Sequence, residues 1–212
     1  ISGIFLASLM YIYLSGSFAP LVYLSFFLLQ WLVTIFQARR QRSAEQAGSP
    51  PFIKQHFWNL VLCAGIAFVL FLPLLYFYLT APDLATERAQ QALFTNPLIH
   101  QGDPWGTLWR STWGNLAAFG LSPGWLQGNS PANLILPVPV ALLFLLGFII
   151  SLWRVSQPPY LFTLVYWGIM ILPSILSPDA IPHPLRAVGA APAAYTLVAI
   201  SVMGIVDLTS KV

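Results

Sequence analysis

The chain has 212 residues, of which 58% are Ala, Val, Ile, Leu, Met, Phe, Trp, Tyr or Cys and only 7% are Asp, Glu, Lys or Arg. Soluble domains carry about a quarter charged residues, so nine basic and six acidic side chains cannot cover this chain for water, and most of it faces lipid. Disorder, collagen, coiled coils and disulfide-stapled scaffolds are excluded, and a net charge of +3 scattered along the chain excludes a nucleic-acid surface.

Six apolar runs follow one another: residues 1–14, 19–36, 57–79, 132–153, 160–176 and 187–208. None contains Lys, Arg or Glu, and Asp207 at the end of the last is their one acidic residue. A helix needs about 20 residues to cross some 30 Å of hydrocarbon, because unpaired backbone groups are too costly in lipid. The expected fold is therefore all-α: a polytopic bundle of about six spans forming a single transmembrane domain over 1–212. The first run has 14 residues, opens on Ile1 and lacks a basic leader, so it reads as the tail of a helix and the chain as a C-terminal fragment. Cys63 lies alone inside the third run, and Pro73, Pro137, Pro139, Pro173 and Pro192 are expected to bend spans.

The basic residues orient the bundle. With loop 37–56 in the cytoplasm, that side holds Arg39, Arg40, Arg42, Lys54, Arg154 and Lys211, against Arg88, Arg110 and Arg186 outside. Segment 81–131 and loop 177–186 are then extracytoplasmic, in an inner or plasma membrane.

Within 81–131, Asp83 caps an expected short helix through Glu87, which Asn96-Pro97 ends. Asp103-Pro104 reads as a second helix start, a capping carboxylate followed by proline at the first helical position. From there Trp105, Leu108, Trp109, Thr112, Trp113 and Leu116 recur on one face, with Arg110, Ser111, Gly114 and Asn115 on the other. Three tryptophans on one face suit a helix lying flat among headgroups, either as a passive anchor or as a platform beside a lipid-substrate entrance.

Loop 177–186 carries the densest chemistry. His183 and Arg186 directly precede the last apolar run, where a guanidinium, an imidazole and free helix N–H groups would together attract a phosphate. The plainer alternative is a snorkelling arginine and a hydrogen-bonded loop histidine. His56, His100 and His183 are too far apart for a zinc site, no cofactor is implied, and a divalent metal requirement is left open. GxSxG, HExxH, Walker and GxGxxG motifs are absent.

Several segments together resemble a known family. YIYLSGSFAPLVYL, FLPLLYFYLTAPDLATERAQQALFTNP, NLILPVPVALLFLLGFIISLWR and above all PHPLRAVGAAPAAY are similar to bacterial multi-pass glycosyltransferases of the C superfamily. These are the enzymes of the dolichyl-phosphate-mannose protein mannosyltransferase and aminoarabinose transferase type. The resemblance implies a transferase that moves a sugar from a polyprenyl-phosphate carrier to an extracytoplasmic acceptor. It gives the carrier phosphate to His183 and Arg186, with Arg88 as a further contact. The family's catalytic acid lies in a first outer loop near the N-terminus, so the resemblance implies a missing N-terminal half and no catalytic residue here. This stretch alone is then expected to be inactive. The competing class is a non-catalytic membrane component, such as a transporter or flippase subunit or an assembly scaffold. Its expected mid-membrane polar residues are scarce in these runs.

Overall fold

The computed structural model describes residues 4, 18–41, 52–81, 91–121, 136–179, 181–182 and 184–210. All regular structure among them is helical. Helix α1 spans Ala19–Gln41 and α2 spans Phe52–Thr80. Within segment 81–131, α3 follows at Pro97–His100 and α4 at Pro104–Leu116, the latter running on into a π-helical turn at Ala117–Leu121. Then come α5 (Val138–Trp153), α6 (Pro158–Met170), α7 (Leu172–Leu176), α8 (Pro184–Ala187) and α9 (Ala191–Thr209).

Four stretches are long and apolar enough to cross a bilayer: Ala19–Phe36, Val61–Thr80, Pro158–Leu176 and Val188–Asp207. They coincide with four of the six apolar runs. The first run lies almost wholly outside the described residues. In the fourth, α5 is apolar throughout but has 16 residues, about 24 Å of helix at 1.5 Å per residue. Asp83, Glu87 and the short helix expected around them also lie outside the described residues.

The prolines behave differently from simple bends. Only Pro73 sits inside an unbroken helix. Pro137 precedes α5, Pro139 lies in its first turn, and Pro192 occupies the first turn of α9. A missing N–H costs nothing at these positions. Pro173 accompanies a one-residue interruption: the fifth run passes from α6 to α7 at Ile171, which keeps helical dihedrals, so Pro158–Leu176 runs on as one spanning stretch.

The core forms where α5, α6 and α9 meet beneath α4. Phe119, Phe144 and Phe148 pack against Trp167 with ring centroids 5.4–5.6 Å from it, over Ala190, Ala193, Ala194 and Leu197. Helices α5 and α9 run parallel, since Gly147 meets Leu197 and Ile150 meets Gly204. A β-carbon at Gly147 would strike the Leu197 carbonyl oxygen, so glycine there permits the close approach. Small residues serve this purpose between membrane helices, where lipid removes the hydrophobic drive to associate. Helix α1 lies antiparallel against α6, with Phe26 on Leu161 and Val165 and edge-on to Phe162 at 5.3 Å. Leu24, Phe36, Tyr76, Leu79 and Met203 point outward and exposed, a surface that suits acyl chains.

Candidate functional site

The expected start of α4 is present in full. Asp103 caps it, its carboxylate accepting from the Gly106 N–H at 2.8 Å, and Pro104 takes the first helical position. Asn96-Pro97 does more than end a helix. Asn96 caps α3 by accepting from the Leu98 N–H at 3.0 Å, with Pro97 again first in the turn.

The faces of α4 are turned opposite to those of a helix in water. Its buried residues are polar, Thr107, Ser111 and Asn115 at successive four-residue steps. Trp105, Trp109 and Trp113 are 74, 66 and 55% exposed. Trp109 and Trp113 stack with planes 7° apart at 5.9 Å. Such a helix holds the protein through hydrogen bonds and leaves its aromatic ledge exposed to its surroundings.

The ledge is fastened to the end of α7. The last carbonyls of a helix lack intrahelical donors, and here each finds one from another element. Ser111 Oγ donates to the Ile175 carbonyl at 2.7 Å, and Asn115 Nδ2 donates to that of Ser174 at 3.3 Å. The Phe94 N–H reaches the Leu176 carbonyl at 3.0 Å. Arg186 Nη1 reaches the Ser177 carbonyl at 2.9 Å. In return Ser174 Oγ donates to Asn115 Oδ1 at 2.5 Å. Gly114 admits the Ile181 side chain, which a β-carbon would collide with.

Arg186 is the one phosphate-contact candidate among the described residues; His183 and Arg88 lie outside them. Its side chain is only 12% exposed and forms a two-pronged pair with Asp179, Nη1 to Oδ1 and Nη2 to Oδ2 at 3.0 Å. It sits in the four-residue α8, two residues before the last spanning stretch (Val188–Asp207), with one 3₁₀ turn (Val188–Ala190) between α8 and α9. Arg110 bonds within its own helix, Nε to the Gly106 carbonyl and Nη2 to Thr107 Oγ1, both at 3.3 Å. The polar face of α4 and Arg186 thus converge on one carbonyl-rich helix end, with the tryptophans on the opposite face of α4. The chain matches no family model, no curated protein and no solved structure.

No group of three His, Cys, Asp or Glu side chains among the described residues is arranged to hold a metal. Sequence reasoning missed two features. One is Asp179 as the partner of Arg186, seven residues earlier. The other is the Ser111–Asn115–Ser174 cluster, whose only sequence signal is the four-residue spacing of Ser111 and Asn115 opposite the tryptophans.

Proposed function

We propose that this chain is the carrier-binding part of an integral-membrane glycosyltransferase of about six spans. Its donor is a polyprenyl-phosphate-linked sugar and its acceptor lies outside the cytoplasm, with loop 37–56 inside and segment 81–131 outside an inner or plasma membrane. Two things support this: the likeness of PHPLRAVGAAPAAY to the transferases' terminal motif, and an aromatic ledge on the helix whose other face is bonded to the α7 end next to the Ser177 carbonyl that Arg186 reaches. The ledge is the observation that carries it, because a polyprenyl chain needs an apolar bed beside a site for its phosphate.

In this reading the acceptor oxygen attacks the anomeric carbon, the sugar–phosphate bond breaks, and polyprenyl phosphate leaves with the electron pair. Negative charge grows on the departing phosphate, where a preorganised cation stabilises it best. Arg186 supplies that cation, with His183 and Arg88 as further contacts. The phosphate exchanges with Asp179 on the guanidinium, since each can accept two parallel hydrogen bonds from arginine's planar fork. The base that takes the acceptor proton is not assigned to any of these residues, and no cofactor is invoked.

The test is binding of polyprenyl phosphate to the purified chain in lipid nanodiscs. Arg186→Gln should weaken binding roughly tenfold or more, the value of a lost charge-assisted contact, while Asp179→Asn should strengthen it by freeing the guanidinium. Unchanged affinity in both variants would remove Arg186 from the site. The second reading, a non-catalytic membrane component, draws on the near-burial of Arg186 and its two intrachain acceptors. It expects both substitutions to change stability and neither to change carrier binding.

A further inference from the structure

At the end of the bundle away from Arg186, a cavity of about 430 Å³ opens between α5 and α9. Its walls are apolar, made by Leu146, Ile150, Ile200 and Met203. Its rim carries Arg154, Tyr160 and Asp207; Arg154 and Asp207 are the only described charged residues at this end of the three helices. Arg154 and Asp207 both line the cavity yet form no ion pair with each other among the described residues.

Tyr160 orients the arginine. Arg154 Nη1 donates to the Tyr160 hydroxyl at 3.0 Å, and its guanidinium carbon lies 5.7 Å from the ring centroid. The tyrosine oxygen is thereby the acceptor, so its own proton is available to a further acceptor. A guanidinium and a phenol proton on one side of an apolar slot suit a phosphate diester. A carboxylate on the same rim would repel a ligand that is only anionic, and it calls for a cationic group on the same molecule.

We propose that this groove binds a zwitterionic phospholipid with a primary amine in its headgroup. One acyl chain lies in the slot between α5 and α9, the phosphate meets Arg154 and Tyr160, and the ammonium meets Asp207. Charge complementarity selects this occupant over an anionic lipid, which satisfies Arg154 but not Asp207. The inference uses none of the residues assigned to carrier binding, so the two stand or fall separately.

The test is native mass spectrometry of the full chain, delipidated in detergent and titrated with phosphatidylethanolamine or phosphatidylglycerol of identical acyl chains. One phosphatidylethanolamine should be retained roughly fivefold better than phosphatidylglycerol, the scale of a partly exposed ion pair. Asp207→Asn should bring that ratio to about one, and Arg154→Gln should lower retention of both lipids. Both side chains are exposed, so neither substitution disturbs the core. A ratio of one in the unaltered chain, a ratio that survives Asp207→Asn, or retention indifferent to Arg154→Gln overturns the proposal and leaves ordinary annular lipid.

Discussion

Replacing Asn115 with alanine should loosen the aromatic ledge from the bundle. Asn115 is fully buried and makes three contacts that alanine cannot: Nδ2 donates to the Ser111 carbonyl at 2.9 Å and to the Ser174 carbonyl at 3.3 Å, and Oδ1 accepts from Ser174 Oγ. Hydrogen bonds between membrane helices contribute about 0.6 kcal/mol on average and up to roughly 1.7. Two of the three join α4 to α7, the Ser111 bond lying within α4; the two amount to roughly 1 kcal/mol, and the emptied volume adds about 1 kcal/mol. The expected loss is therefore about 2 kcal/mol. Unfolding in mixed micelles, followed by tryptophan emission, measures it, because three of the eight tryptophans stand on α4. Asn115→Asp should be worse still, since it sets a carboxylate oxygen against two carbonyl oxygens inside the protein. A loss below about 0.5 kcal/mol for the alanine variant would refute the view that these bonds, rather than the tryptophans, hold α4 in place.

Two further substitutions probe the frame around the ledge. Gly147→Ala puts a methyl group into the Leu197 carbonyl oxygen, backbone that cannot swing aside; separating α5 from α9 should cost about 1–3 kcal/mol in the same assay, and full stability would mean the helices are not in close contact. Asp103→Ala removes the cap bonded to the Gly106 N–H and should weaken the first turn of α4 by about 1 kcal/mol, seen as faster amide exchange at Gly106; unaltered exchange there would show that Pro104 alone sets the helix start.

Much of this architecture is legible in composition and in local signals. Four of the apolar runs are helices of spanning length, and Asp103-Pro104 marks the start of α4 to the residue. Those signals are local: hydrophobic length and a cap act within a few residues. What could not be read is set across distance. Ser111 and Asn115 find their acceptors 59–64 residues away, at carbonyls that exist as acceptors only because α7 ends there. The same holds for Arg186. A basic residue before an apolar run looks free to meet a phosphate, and its engagement with Asp179 and the Ser177 carbonyl depends on how the loop folds back. The periodicity of α4 was plain, but which face meets the protein depends on the solvent outside. In water the tryptophans would turn inward.

That dependence has a consequence for assembly. The polar stripe Thr107, Ser111 and Asn115 would be hydrated as well by water as by α7, and the three indoles would gain by leaving the water. Docking of α4 is therefore conditional on the bilayer already being present around it. The segment should settle last, after the spans have inserted and offered it both a carbonyl end to grip and a greasy boundary to face. Extraction into a poorly matched detergent would undo the same step first, letting the ledge roll over while the spans beneath it stay intact.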